Sequence, residues 1–359
     1  MIESHLYAVV MAGGQGTRFW PESYSKRPKQ YLSLVGKDSL LTTTLNRFDS
    51  LVSKDKRYVV TVKEQEGLAS ECSNGAIAED GLVFEPSGRN TAPCILLAMA
   101  HLLAKGASEN DVMAIVPSDH VILNEKGFQE SLRRASQAAV KQSKIVTIGI
   151  KPNFPHTGYG YIHRGSEASE NTFCVEAFKE KPNKEVATEY LKTGEYLWNA
   201  GMFVSTIKTL VEEFSKHAPD MFTHFSELKE SIGDFAKTSE VYGKIPAESI
   251  DYAIMEKSSE VLVTPADFDW NDLGSWDALE SVVEKKENNV IIGERDFYFQ
   301  NSENNIVFAP KKFVGLVNVN DMIVISNDNV TVVLPKSDSQ KVKDIVTAIK
   351  EKKDLQDLI

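Results

Sequence analysis

A glycine-rich, basic segment near the start of the chain has the composition of a polyphosphate-binding loop. Within residues 6–32 an apolar run ends at Met11 and is followed by Gly-Gly-Gln-Gly-Thr-Arg, residues 13–18. Glycine lets a backbone approach a ligand closely because it carries no Cβ. Against the single acid Glu22, the segment holds four cations, in a chain of formal net charge −11: Arg18, Lys26, Arg27 and Lys29. Amides and cations together suit a triphosphate.

Two better-known phosphate loops do not fit this segment. A P-loop requires Gly-x-x-x-x-Gly-Lys-Ser/Thr, but the Gly-Lys pairs of this chain precede Asp38 and Ile245. A dinucleotide fingerprint requires a third glycine where Phe19 stands. If the glycines are considered without the other residues, the alternative to a phosphate-binding loop is an ordinary turn whose cations are exposed to solvent.

Two acidic segments follow other apolar runs. Residues 114–120 read Ala-Ile-Val-Pro-Ser-Asp-His, which fits a buried strand ending in a capped turn. Beside a triphosphate loop, the Asp119 carboxylate has the chemistry of a magnesium ligand, because Mg²⁺ usually takes one or two carboxylates plus phosphate oxygens. Glu85 begins the segment 85–93, in which Asn90 or Thr91 is the predicted helix N-cap and Pro93 lies in the first turn.

Strands and helices must alternate up to about residue 150 to position these segments. The predicted strands are fully apolar and short: 6–11, 58–62, 82–84, 112–116 and 145–150. The predicted helices lie between them: 40–51, 92–104 and 128–142. This pattern is typical of a mostly parallel sheet covered on both faces. Ligands bind such sheets at the carboxyl ends of the strands, so the Gly13 loop, Glu85-Pro86 and Ser118-Asp119 are expected to converge on one crevice.

The rest of the chain has two further patterns. Predicted strands 159–164, 173–180 and 201–205 interleave with helices 184–191, 210–216 and 250–257, which indicates a mixed sheet. Short β-rich pieces with Asn/Asp turns follow, and a polar helix over 339–358 closes the chain. We therefore predict a catalytic domain over 1–287 and a small β-rich module with a terminal helix over 288–359.

Composition excludes several classes of protein. The 359 residues are 42% hydrophobic and 25% charged, as in ordinary globular proteins. The acidic balance, with a pI near 5.3, argues against a nucleic-acid partner. Three widely spaced cysteines form no Cys-x-x-Cys pair, so neither a zinc site nor a disulfide framework is indicated. No apolar run reaches transmembrane length, so the sequence predicts no membrane partner and a cytoplasmic protein.

The glycine segment, Phe19-Trp20-Pro21 and Pro28-Lys29-Gln30 together resemble the signature of sugar-1-phosphate nucleotidyltransferases, in the mannose-1-phosphate guanylyltransferase branch. Three later motifs resemble the same family in the same order: Thr-Gly-Tyr-Gly-Tyr-Ile at 157–162, Phe-Lys-Glu-Lys-Pro at 178–182 and Trp-Asn-Ala-Gly-Met-Phe at 198–203. The resemblance implies an α/β fold, a Rossmann-like (GT-A-like) mixed sheet flanked by helices. It also implies a β-helix-like tail, often involved in subunit contacts.

The resemblance implies roles for individual residues. The residues implied in nucleotide binding are Ala12, Gly13, Gly14, Gly16, Thr17, Arg18, Lys29, Glu85, Arg89, Asn90 and Ser118. The residues implied in binding the sugar phosphate are Gly158, Tyr159, Glu180, Lys181 and Asn199. Arg18, Lys29 and Asp119 are the catalytic candidates, and Asp272 is the second metal ligand, with Asp269 as its alternative. Glu85 is assigned to guanine, whose adjacent N1–H and N2–H₂ donors a carboxylate accepts as a pair.

The expected reaction joins GTP and mannose 1-phosphate to give GDP-mannose and pyrophosphate, with Mg²⁺ as cofactor and a homodimer as the assembly. The sugar phosphate is already an anion, so the enzyme must align the substrates and neutralise charge but needs no catalytic base. His120 is therefore interpreted as a structural residue. The alternatives are the same reaction on another sugar phosphate or nucleotide, a non-catalytic nucleotide-sugar-binding regulator, and a glycosyltransferase using Asp267-Phe268-Asp269 as its metal motif.

Overall fold

The computed structural model describes residues 5–14 and 17–359, without the side chain of Thr17. Packing divides the chain into two compact units. The first unit contains the residues up to Gly13, Leu45–Ser118 and Asn124–Asp269. The second unit contains Gly14–Thr44, Asp119–Leu123 and Trp270–Ile359. Arg18, Lys29 and Asp119 are therefore packed with the C-terminal residues. This grouping is based on packing and leaves the sequence division at 287/288 a prediction.

A nine-stranded mixed sheet organises the first unit. Its strands are β1 (Leu6–Met11), β2 (Arg57–Val62), β3 (Leu82–Glu85), β4 (Val112–Pro117), β5 (Ile145–Ile150), β6 (Tyr161–Ser169), β7 (Thr172–Lys179), β8 (Tyr196–Thr206) and β9 (Val261–Pro265). The order is β3-β2-β1-β4-β8-β5-β9-β7-β6. Strands β1 to β4 are parallel neighbours, whereas β8 runs antiparallel to both β4 and β5. Strands β1 to β4 therefore end at one edge.

The helices differ in whether a side chain caps their first turn. They are α1 (Leu40–Asn46), α2 (Glu66–Ser73), α3 (Thr91–Ala104), α4 (Glu125–Gln142), α5 (Lys184–Thr193), α6 (Ile207–His217), α7 (Pro219–Phe222), α8 (Phe225–Ser231), α9 (Phe235–Lys244) and α10 (Val342–Lys350). Asn124, Asn183 and Asp234 cap α4, α5 and α9 by accepting backbone N–H bonds. No helix among the described residues is long and apolar enough to cross a membrane.

Short strands form the C-terminal part of the second unit. They are β10 (Lys285–Lys286), β11 (Asn289–Ile292), β12 (Phe297–Gln300), β13 (Ile306–Phe308), β14 (Val314–Val317), β15 (Met322–Ser326) and β16 (Thr331–Pro335). Strands β11, β13 and β15 stack in parallel, with Val290 opposite Ile306 and Ile306 opposite Ile323. Buried Asn289 and Asn305 hydrogen-bond to each other between the layers. This stacking agrees with the predicted β-helix-like module.

The core of the second unit joins the N-terminal segment to the last helix. Phe19, Trp20 and Leu32 share one buried cluster with Val342 and Val346 of α10. The Trp20 indole donates to the carbonyl of Leu358 at 2.7 Å, and the Trp276 indole donates to the carbonyl of Trp20 at 3.1 Å. These contacts fix the N-terminal segment against the C-terminal one.

Several predicted element bounds were wrong. The helix predicted over 339–358 is α10 alone, flanked by 3₁₀ turns at Lys336–Lys341 and Lys353–Leu358. The helix predicted over 40–51 ends at Asn46, and the segment predicted as helix 250–257 contains a π-helical turn, Asp251–Met255. The sequence pattern did not predict β9, α2, α8 or α9.

Candidate functional site

The second unit contains a charged cavity of about 440 Å³. Its lining residues are Arg18, Lys29, Asp119, His120, Asp272, Leu273, Gly274 and Lys343. Four of the residues predicted from sequence are thus brought together: the two phosphate cations and the two metal candidates. They come from three separate stretches of the chain, and Lys343, on α10, was not predicted.

Lys29 is the best-fixed cation of this cavity. Pro28 precedes it in extended conformation, and Lys29 begins a 3₁₀ turn, Lys29–Tyr31, whose residues are buried. Its ammonium lies 2.9 Å from Oδ2 of Asp119 and donates to the backbone carbonyl of Asp272 at 2.5 Å. The side chain is only 8% exposed. Lys29 therefore links the two acidic segments of the cavity.

The surroundings of Asp119 keep it charged. Burial opposes ionisation, but the Lys29 ammonium, His120 and hydrogen bonds outweigh that effect and lower the pKa of the Asp119 carboxyl below its usual value. Nδ1 of His120 accepts a hydrogen bond from the Trp270 indole at 3.1 Å. The two rings meet edge to face with centroids 5.2 Å apart. These contacts hold the His120 ring in the cavity lining, and its structural interpretation stays a prediction.

The donor set of the cavity fits a magnesium ion. The Asp119 carboxylate is one-third exposed, and Asp272 lines the same space. Two carboxylates completed by phosphate oxygens are a usual arrangement for Mg²⁺. No group of three or more metal-binding side chains occurs among the described residues, so substrate oxygens would have to complete the coordination. Asp269 instead lies in the first unit, where its Oδ1 accepts from the backbone N–H of Asn124 at 2.7 Å.

In the first unit, three predicted residues meet at the carboxyl ends of the parallel strands. Glu85 ends β3, and a Cβ built on Gly13 would lie 3.9 Å from its Oε2 atom. The N–H of buried Ser118 donates to the carbonyl of Met11 at 3.1 Å, next to buried Ala12. The predicted convergence is therefore present for Gly13, Glu85 and Ser118 within this unit.

Glu85 is a buried carboxyl with a specific partner. Its side chain is 3% exposed, and the hydroxyl of Tyr242 on α9 donates to Oε1 at 2.5 Å. Burial raises the pKa of Glu85 to about 7, although the Tyr242 hydrogen bond acts in the opposite direction. Tyr242 was not predicted, because it is separated from Glu85 by 157 residues and its helix carries no recognisable motif.

Two residues that follow Glu85 in the sequence, Arg89 and Asn90, form hydrogen bonds with backbone groups. Oδ1 of Asn90 accepts from the N–H of Thr91 at 2.9 Å, so Asn90 caps α3 as predicted. Nε of Arg89 donates to the carbonyl of Ile245 at 2.8 Å. Both side chains have structural partners, which leaves Glu85 as the more distinctive of the base-reading candidates.

Three of the predicted sugar-phosphate residues, Glu180, Lys181 and Asn199, lie in a polar cluster of the first unit with Asp251. A Cβ on Gly160 would lie 2.6 Å from Oε2 of Glu180, so any larger residue there would displace this carboxylate. Glu180 forms an ion pair of 2.5 Å with Lys181. Nδ2 of Asn199 donates to Oδ1 of Asp251 at 2.9 Å. Burial and the charge of Glu180 raise the pKa of Asp251 to about 6, and this acid was missed because no motif marks it.

The other predicted residues occupy turns or lie outside the described part. Tyr159 stacks on His156 with centroids 3.8 Å apart, and the N–H of Gly158 donates to Nδ1 of His156 at 3.2 Å. His156, interpreted as neutral variation from sequence, thus shapes this turn. Gly14 has a φ of +109°, which favours glycine. Gly16 and the side chain of Thr17 lie outside the described residues.

Comparison with known proteins gives matches over nearly the whole chain. The model of the nucleotidyl transferase family matches residues 7–289, and that of the MannoseP isomerase/GMP-like beta-helix domain matches residues 300–349. Mannose-1-phosphate guanylyltransferase 2 of Escherichia coli O157:H7 is 37% identical, over 98% of this chain and 74% of that protein. Mannose-1-phosphate guanylyltransferase of Klebsiella pneumoniae is 36% identical, over 96% and 74%.

A solved structure extends this likeness to the fold. The structure, described as mannose-1-phosphate geranyltransferase from Thermus thermophilus, superposes with a TM-score of 0.88 at 32% identity. It covers 96% of this chain and 99% of that one. The mixed α/β fold and the β-rich module predicted from sequence are confirmed. The chain is a nucleotidyltransferase that belongs to the nucleotidyl transferase family, among the mannose-1-phosphate guanylyltransferases.

Proposed function

We propose that the protein transfers GMP from GTP to mannose 1-phosphate, releasing pyrophosphate and forming GDP-mannose. The observation that carries the proposal is the cavity of the second unit, which gathers Arg18, Lys29, Asp119 and Asp272 in a member of this family. Its cations match a triphosphate, and its carboxylates match the magnesium ion that accompanies one. The names of the relatives supply the sugar and the base.

In the proposed reaction a phosphate oxygen of mannose 1-phosphate attacks the α-phosphorus of GTP, and the bond from that phosphorus to the bridging oxygen breaks. Pyrophosphate leaves with that oxygen and its electron pair. The planar guanidinium of Arg18 and the ammonium of Lys29 neutralise the departing charge. Bound Mg²⁺, held by Asp119 and Asp272, would supply further charge neutralisation on the phosphates.

The base and the sugar are read by side chains of the first unit. Guanine offers two adjacent N–H donors to the carboxylate of Glu85, whose position the Tyr242 hydroxyl fixes. The mannose hydroxyls form hydrogen bonds with Glu180, Asn199 and Asp251, whose side chains offer acceptor oxygens and one amide donor. The ammonium of Lys181 is exposed beside Glu180 and is suited to the sugar phosphate.

A substrate panel tests the proposal. Sugar 1-phosphates (mannose, glucose, galactose and N-acetylglucosamine) are combined with GTP, ATP, UTP and dTTP, and pyrophosphate release is measured with and without Mg²⁺. We expect the highest kcat/KM for mannose 1-phosphate with GTP, and no turnover after chelation of the metal. A higher kcat/KM for another pair would reassign the substrates, and absence of release from every pair would contradict the transferase reaction.

A further inference from the structure

The C-terminal helix contributes an unassigned cation to the phosphate cavity. Lys343 lies on α10 and lines the same cavity as Arg18 and Lys29. The beta-helix domain model that matches this part of the chain spans residues 300–349, and it therefore includes Lys343. The cavity thus draws one of its three cations from the module rather than from the N-terminal or central motifs.

The position of Lys343 is set by the buried face of its helix. Val342, Val346 and Ile349 are spaced as one helical face and lie in the same core as Phe19 and Trp20. Helix α10 packs against the 3₁₀ turn that carries Arg18. Two further hydrogen bonds tie the N-terminal segment to the C-terminal residues: Trp20 to Leu358 at 2.7 Å and Asn327 to Glu22 at 3.0 Å. Lys343 is therefore held next to Arg18 by packing.

The charge balance of the cavity favours a polyanion. Three cations face two carboxylates there, and Lys29 is already paired with Asp119. Among the described residues, the Lys343 ammonium has no carboxylate partner, unlike Lys341, which pairs with Asp338 at 3.1 Å. An ammonium and a guanidinium that line the same cavity together attract a polyanion.

We propose that Lys343 binds the β- and γ-phosphates of the nucleoside triphosphate, and hence the pyrophosphate product. This inference rests on the proposed function, because it assigns one more contact to the leaving group of that reaction. The diphosphate of GDP-mannose consists of the α-phosphate of GTP and the phosphate of the sugar. It lacks the β- and γ-phosphates of GTP, so its binding does not involve Lys343. The module is then part of the phosphate site as well as of the fold.

The test compares Lys343→Met with Lys350→Met. Methionine keeps the length and apolar character of the side chain but removes the charge, and Lys350 is an exposed lysine of the same helix outside the cavity. Binding of inorganic pyrophosphate is measured calorimetrically with Mg²⁺. Because a hydrogen bond to a charged group contributes about 1.5 kcal/mol or more, Lys343→Met should weaken pyrophosphate binding about tenfold, with Lys343→Arg close to wild type.

Kinetics in both directions separate a phosphate contact from a structural effect. In Lys343→Met we expect a similar loss in kcat/KM for GTP and an unchanged KM for GDP-mannose in the reverse reaction. Equal behaviour of Lys343→Met and Lys350→Met, or an equal loss for GDP-mannose, would overturn the inference in an enzyme that still transfers GMP. A wild-type protein that binds pyrophosphate but transfers no nucleotide would instead contradict the proposed function.

Discussion

The two units of the protein use carboxylates in opposite ways. In the first unit Glu85 and Asp251 are partly or fully buried, each accepts a hydrogen bond from a neutral side chain, and their pKa values rise to about 7 and about 6. In the second unit Asp119 faces an open cavity, pairs with Lys29, and has a lowered pKa. Burial decides the direction of the pKa shift in the first unit, whereas in the second unit the Lys29 ammonium, His120 and hydrogen bonds together outweigh it.

This difference follows the ligands that each unit is proposed to bind. Neutral N–H and O–H donors of a base or sugar are distinguished by buried acceptors, because an unmatched buried group costs free energy. A polyphosphate is instead neutralised by cations and a metal ion, which need ionised carboxylates and access to solvent. Substitutions in the second unit should therefore lower the rate of nucleotidyl transfer for every substrate. Substitutions in the first unit should instead change which base or sugar the enzyme prefers.

The largest effect is expected at the metal candidates. Asp119→Asn and Asp272→Asn remove the charges that would hold Mg²⁺, and we expect turnover to fall by roughly a thousandfold or more, since a bound metal supplies several kcal/mol. Circular dichroism and thermal melts should show an intact fold. The measurement is steady-state pyrophosphate release over a series of Mg²⁺ concentrations.

Asp269→Asn is the matched control for this prediction. Asp269 is three residues from Asp272 but accepts a backbone hydrogen bond from Asn124 in the first unit, a role that an amide oxygen also fills. The assignment would be contradicted if Asp272→Asn kept full Mg²⁺-dependent activity while Asp269→Asn lost most of it. The second metal ligand would then be Asp269, in the first unit, and not Asp272, in the second.

Arg18→Ala should give the next largest effect. If Arg18 stabilises the leaving pyrophosphate mainly in the transition state, its removal lowers kcat and kcat/KM together, by about 3–4 kcal/mol. Single-turnover measurements with saturating GTP would separate the chemical step from binding. A rise in KM for GTP at unchanged kcat would show instead that Arg18 only holds the substrate.

Local patterns were sufficient to predict every strand of the large sheet except β9. Strands β1 and β5 have the bounds predicted from apolar runs, and Lys29, Asp119 and Asp272 do share a cavity. Tyr242, Asp251 and Lys343 were not predicted, because each reaches its site through long-range packing of a helical turn without a motif. The repeat of the stacked coils was also not recognised in the sequence, although Asn289 and Asn305 hold equivalent positions 16 residues apart.

Glu85→Gln should change the nucleotide preference. The substitution keeps the size of the side chain but places an NH₂ donor opposite the donors of guanine. One bidentate contact typically carries about 1–3 kcal/mol of base discrimination, so kcat/KM for GTP should fall roughly ten- to hundredfold, while ATP loses little. Equal losses for GTP and ATP would contradict base reading and leave a purely structural role.

The pH dependence provides a second check on Glu85. Since the carboxyl must be ionised to accept both guanine donors and its pKa is about 7, kcat/KM for GTP should rise with pH through neutrality. The rise should be absent in Glu85→Gln. Asp119, with its lowered pKa, is ionised throughout this range and does not contribute to the rise.

Asp251→Asn should affect the sugar side alone. The change replaces one acceptor oxygen next to Asn199, and loss of a hydrogen bond to a substrate hydroxyl is worth about 1 kcal/mol. We expect KM for mannose 1-phosphate to rise several-fold, with KM for GTP unchanged. A change in KM for GTP of the same size would indicate a disturbed fold and not a lost sugar contact.

The last effect concerns stability, whose dependence on pH has the opposite sign to that of the activity. The pKa of Glu85 rises from 4.5 to about 7 on folding, so between these values the folded state binds more protons and its stability falls as pH rises. At about 1.4 kcal/mol per pKa unit, ionised Glu85 costs at most roughly 3 kcal/mol above pH 7.

Glu85→Gln removes this dependence on pH. The free energy of unfolding of the variant relative to wild type, measured with urea, should therefore increase by roughly 2–3 kcal/mol from pH 5 to pH 8. A difference that does not change with pH would mean that Glu85 titrates alike in the folded and unfolded chains, and the contrast between the two units would then rest on geometry alone.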